Sequence, residues 1–184
     1  MKAGSMAAAV GSALLLAFGL DLVSARRQLI AGRRMVDAAF AQAERALGQR
    51  AGVMAGFAGA VAENPGLERT PVEAMLASGA SAIGARTRSE KIAADERVER
   101  ALARLPLFEE THPDLHFSEK FGNIEHDLAD AEGRVAVARG NYNDAVLRYN
   151  ASLTSFPRNI AARLFGFRQE NDYFKPDAGS ESSK

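Results

Sequence analysis

Few residues in this chain have the types and spacing that chemistry requires. There is no cysteine, which removes disulfides, zinc–thiolate sites and thiol nucleophiles, and there are only three histidines. His112 and His116 stand four apart, the interval at which two imidazoles share a helix face and hold zinc. Pro113 lies between them and disfavours helix in the residue before it, so that pairing loses its premise. His126 sits beside Glu125 and Asp127 without a third convergent ligand, and all three histidines read as solvent-facing. Asp127 and Asp130 read as surface carboxylates on a charged helix. No Gly-rich phosphate loop follows a strand, and no HExxH helix or nucleophile elbow is present. The expectation is a protein that is not an enzyme, with no catalytic residue, no metal and no cofactor.

Two polar groupings remain. Glu132, Arg134 and Arg139 are spaced so that Glu132 and Arg134 point to different faces of a helix, while Glu132 can share a face with Ala136 or Arg139. An ion pair inside a bundle is the expected use. The dipeptide Tyr-Asn occurs twice, as Tyr142-Asn143 and Tyr149-Asn150, seven residues apart. The tyrosines fit a packing seam, with their hydroxyls reaching its rim. The asparagines fall one position off that seam and are expected to hydrogen-bond to a neighbouring helix and fix its register.

The elements that position these groups are helical. Lys+Arg and Asp+Glu both number 23 in 184 residues, so the formal charge is zero, which argues against nucleic acid as partner. Alanine is abundant and aromatic residues make up 7%, a composition that favours helix. Val36, Phe40, Ala43, Leu47, Met54, Phe57 and Val61 step mainly by three and four and predict an amphipathic helix running to about Ala62. "ENPG" (Glu63–Gly66) stops it. Thr70, Pro71 and Glu73 form a helix start, and Thr87 with Glu90 forms a second capping box, from which a helix continues to Pro106. Phe121, Leu128, Val135, Tyr142, Tyr149 and Phe156 then recur at a constant interval of seven, with Ile124, Ala131, Ala138, Ala145 and Ser152 three after each of the first five. That ladder predicts a helix over Ser118–Ser155, ended by Pro157. Leu164, Phe165, Phe167, Tyr173 and Phe174 are expected to fold over the end of the bundle. Residues 176–184 are too polar to be ordered. The fold class is therefore all-α: an antiparallel bundle of about four helices, two of them long, over residues 26–175.

Residues 1–25 form a separate apolar segment. Met6–Leu20 is free of charge and spans roughly 22 Å as a helix, short of a hydrocarbon core of about 30 Å; extension through Ala25 adds five residues and Asp21. Three readings are open: a single-pass anchor, a signal peptide with Val23-Ser24-Ala25 as the cleavage site, or a plain soluble helix. An anchor would contact the bilayer through residues 6–25. Arg26, Arg27, Arg33 and Arg34 follow it, and only Lys2 and the amino terminus oppose them, which places the bundle in the cytoplasm. The partners would then be membrane or membrane-proximal proteins. The alternative is an exported or soluble bundle. Oligomeric state is left open.

"EGRVAVARGNYNDAVLRYN" (Glu132–Asn150) resembles the LemA family, through Glu132, Arg134, Ala138, Arg139, Tyr142, Asn143, Val146, Tyr149 and Asn150. Phe156-Pro157, Gly166-Phe167, Pro113-Asp114-Leu115, Phe121 and Leu128 extend the likeness. It covers about Leu29–Phe174 and is strongest over 113–174. Before Leu67 the pattern departs: Phe40 stands where the family usually has tryptophan, and a Leu-Ile-Pro-Asn run is absent. The resemblance implies a bacterial protein with one amino-terminal membrane helix running into an antiparallel bundle. It implies no enzymatic activity.

Overall fold

The computed structural model describes residues 2–63, 70–105, 110 and 119–175, excluding the side chains of 2–15, 70–72, 75, 83, 119 and 120. His112, His116 and residues 176–184 lie outside the described residues. The described chain is all-α, with five helices and no strand: α1 (Lys2–Ala62), α2 (Thr70–Gly84), α3 (Arg88–Leu102), α4 (Glu119–Thr154) and α5 (Arg158–Phe165). The two long helices, α1 and α4, pack antiparallel. α1 is continuous from the apolar start into the amphipathic stretch. Thr87 caps α3 with both bonds of the capping box, Glu90 N–H to the Thr87 hydroxyl at 3.2 Å and Thr87 N–H to the Glu90 carboxylate at 3.1 Å. α3 ends at Leu102, a turn earlier than Pro106 suggests. α5 is a short helix, too brief for periodicity in the sequence to set it apart from the residues around it. Gly166 closes it at φ 73°, in the left-handed region that a side chain would strain.

The chain divides into two compact units, Met1–Ala39 with Asp144–Asn171, and Phe40–Asn143 with Asp172–Lys184. In the first unit, Ala25, Leu29 and Val36 of α1 are buried, as are Val146, Tyr149 and Leu153 of α4 and Ala161 and Ala162 of α5. Gly32 allows the close approach: a Cβ there would lie 3.2 Å from the Tyr149 ring. Arg26 stacks over Phe165, 5.2 Å from the ring centroid, and Arg158 donates to Gln28 at 3.3 Å.

The second unit is layered along its helices. At one level Phe40, Tyr142 and Phe174 meet, with Tyr142 edge-on to both other rings at 5.3 and 5.4 Å, and Arg88 lies over Phe40 at 4.6 Å. At another level Met54, Phe57, Val61, Val98, Phe121 and Leu128 form an apolar cluster. Phe40 facing Tyr142 and Phe57 facing Phe121 fix the antiparallel course of α1 against α4 here.

Five rungs of the heptad ladder are buried, from Phe121 to Tyr149. The sixth is not: Phe156 is 74% exposed. Pro157 denies helical geometry to the residue before it, so α4 stops at Thr154 and Phe156 falls beyond the seam. The second seam also shifts. Ala131 and Ala138 are buried as expected, but farther on Val146 and Leu153 take over from Ala145 and Ser152. A straight helix drifts by about 20° per heptad, so the inward position moves from three to four residues after each rung. Of the carboxyl-terminal residues expected to close the core, only Phe174 is buried; Leu164, Phe165 and Tyr173 are exposed.

Candidate functional site

Between the aromatic and apolar layers of the second unit lies a layer of charge. Arg50 of α1, 2% exposed, donates from Nη2 to Asp95 Oδ1 at 2.5 Å and from Nη1 to Glu99 at 3.0 Å and Glu132 at 3.2 Å. Arg139 of α4 donates to the same Asp95 oxygen at 2.7 Å and also to Glu99. Asp95 and Glu99, one turn apart on α3, thus bridge two arginines on two other helices. Glu132 takes its hydrogen bond from Arg50, and Arg139, which the sequence spacing offered as its partner, attracts it through its charge. Arg139 pairs with α3 instead.

Burial works against the Arg139 charge, but hydrogen bonds and charges from Asp95 and Glu99 outweigh it and hold the guanidinium above its ordinary value. For Glu132, burial dominates and pushes the carboxyl up, Arg50 pulls it down, and Glu99 pushes it up again. Three carboxylates share two guanidiniums, and Glu132 is the least compensated.

This grouping had a signal in the sequence. The apolar ladder of α1 steps 36, 40, 43, 47 and then jumps to 54; Arg50 fills the missing rung. Asp95 likewise stands three residues from Ile92 and from Val98, on the buried side of α3. A charged residue on an apolar stripe asks for a partner on a facing stripe. Beside the layer is a cleft of about 230 Å³, lined by Met54, Ala82 and Val98 together with Arg50 and Asp95 and rimmed by the Glu44–Lys91 ion pair.

The Tyr-Asn pairs make a second arrangement. In the second unit, Asn143 Nδ2 donates to the Phe174 carbonyl at 2.8 Å and its Oδ1 accepts from the Phe174 amide at 3.0 Å, while the Tyr142 hydroxyl donates to the Asp172 carbonyl at 2.7 Å. The first unit repeats the pattern. Asn150 bonds both backbone groups of Glu170, at 2.7 and 2.9 Å, and the Tyr149 hydroxyl donates to the Arg168 carbonyl at 3.1 Å. Each asparagine thus presents a donor and an acceptor to one peptide residue, as a neighbouring strand would. The expectation that Asn143 and Asn150 face another helix is corrected: their partner is the non-helical segment after α5. That segment has no ladder of its own, so its buried N–H and C=O groups require side-chain partners.

The remaining motif residues fall elsewhere. Pro157 precedes α5, and Phe156 is exposed beside it. Arg134 is exposed. In the second unit it lines a groove of about 660 Å³ between α1 and α4, whose floor carries Ala46, Gly133 and Ala138 and whose rim carries Gln42, Gln49 and Asn141. His126 is exposed and reaches Asp130 at 3.9 Å. Among the described residues, no cluster of His, Asp and Glu could hold a metal ion. No helix among the described residues is long and apolar enough to cross a membrane.

The LemA family model matches residues 39–184. Curated relatives include the magnetosome proteins MamQ 1 and MamQ 2 of Paramagnetospirillum magneticum, each 30% identical over 88 residues, which is 48% of this chain and 32% of theirs. MamQ of Magnetospirillum gryphiswaldense is 27% identical over the same length and coverage. The chain spans about a third of the length of these relatives. The matched range contains the charge layer and both tyrosine–asparagine clamps, and the chain belongs to the LemA family.

Proposed function

We propose that this protein is a non-enzymatic interaction module, a helical bundle held at a bacterial membrane by the start of α1, which binds a partner protein through the groove between α1 and α4. The observation that carries the binding surface is Arg134. Glu132, Arg139 and the two Tyr-Asn pairs are committed to internal hydrogen bonds, whereas Arg134 of the same motif stands exposed over a floor of small residues. Small residues let a partner helix approach closely, and a polar rim fixes its register. The charge layer supports a structural role for the titratable groups, because each carboxylate in it is bonded to a guanidinium.

Membrane attachment is supported by Leu16, Leu20 and Val23 on one side of α1 and Phe18 on the other, all exposed, followed by four arginines. Large apolar side chains exposed on two sides of a helix favour an apolar surrounding.

Crosslinking on intact membranes, followed by solubilisation and identification of the products, tests the binding surface. Arg134→Glu is expected to remove a reproducible crosslinked partner while leaving the melting temperature unchanged. An unchanged crosslinking pattern would overturn the groove as the binding surface.

A further inference from the structure

The first unit carries an apolar face that the core does not use. In α5, Ala161 and Ala162 are buried, while Ile160 and Leu164, one turn apart, are 37% and 64% exposed on the opposite side. Phe156, just before α5, and Phe165 at its end add to this surface. The charges on α5 itself and on the adjoining turn of α1 are basic. α5 contains Arg158 and Arg163 and no acidic residue, and exposed Arg26 and Arg27 stand on the adjoining turn of α1. Asp21 is the nearest carboxylate on α1. The contacts of Arg26 with Phe165 and of Gln28 with Arg158 set α5 beside the turn of α1 that directly follows the apolar start.

We propose that α5 is an interfacial helix, with Ile160, Leu164 and the neighbouring Phe156 seated in the headgroup region of an anionic bilayer. The inference rests on the proposed insertion of the start of α1. A short helix with an apolar face and basic flanks lies in the plane of the interface, buried about 5–10 Å into the headgroup boundary. Its position beside residues 26–28 puts it where an inserted α1 would leave the hydrocarbon. Arginines at that level meet lipid phosphates, and anionic lipids strengthen the contact. The bundle would then be held at two points, which restricts its tilt relative to the membrane.

The absence of cysteine makes the test direct. Ile160→Cys, Leu164→Cys, Leu20→Cys and Leu147→Cys, each in the full chain, are labelled with a polarity-sensitive fluorophore. They are then reconstituted in vesicles of phosphatidylethanolamine and phosphatidylglycerol containing nitroxide lipids. The labels at 160 and 164 are expected to shift to the blue and to be quenched more by headgroup-level than by mid-chain nitroxide. The label at 20 should show the reverse preference, and the label at 147, on exposed α4 surface, should behave as in water. Water-like emission at 160 and 164 with lipid quenching at 20 would overturn the interfacial helix and leave the insertion of α1 standing. Water-like emission at all four would overturn both. A blue shift at 160 and 164 without lipid quenching would mean that protein covers this face and would overturn the proposal, as would equal quenching at 147.

Discussion

Replacing Asn143 by alanine should release the segment at Phe174. The substitution removes two hydrogen bonds of 2.8 and 3.0 Å to one residue, each worth about 1 kcal/mol net. If the segment stays in place, the Phe174 amide and carbonyl lose those partners, at about 1–3 kcal/mol for each group left unsatisfied. If the segment lifts instead, Phe174, 2% exposed, forfeits about 1.5–3 kcal/mol of burial. It also forfeits its edge-on contact with Tyr142, worth about 0.5–1.5 kcal/mol. The chain takes the cheaper course, so the expected loss is about 2–4 kcal/mol. Asn143→Asp keeps the acceptor but sets a carboxylate oxygen against the Phe174 carbonyl, and at neutral pH it should be no better than alanine. Urea unfolding gives the stability change, and hydrogen exchange at the Phe174 amide shows whether the segment opened. Wild-type stability and wild-type protection of that amide in Asn143→Ala would refute the clamp.

Arg50→Ala should cost about 3–5 kcal/mol, because it leaves Asp95 and Glu132 each short of a buried cation; chemical denaturation measures it. Glu132 has a folded-state pKa raised above its ordinary 4.5, so the folded protein holds that proton more tightly than the unfolded chain. Stability relative to Glu132→Gln should therefore be highest near and below pH 4.5 and fall as pH rises through the folded-state value, as paired denaturation curves across that window would show. Gly48→Ala has open space around the new methyl and should stabilise by up to about 1 kcal/mol. Gly32→Ala should lose more than that same gain, because Tyr149 is tied to the Arg168 carbonyl and yields little; melting temperatures of the two variants decide.

Periodicity carried the helices well, because a seven-residue ladder and a capping box are local signals with local causes. The expected end at about Ser155 and the observed end at Thr154 differ by one residue. The charge layer was less legible. Arg139 and Glu132 stood out, but their true partners, Arg50, Asp95 and Glu99, lie 40 to 82 positions away in sequence, where spacing says nothing. The gap at Arg50 in the α1 ladder was the available sign. The asparagines misled for a different reason. An amide beside a helical seam suits a facing helix and an extended segment equally well, and only the fold shows which one lies there.

The most direct measurement is fractionation of cells producing the full chain, with the membranes washed in alkaline carbonate and no detergent. A membrane-held bundle should remain wholly in the washed pellet and leave it only with detergent. Recovery of all the protein in the soluble fraction would contradict it.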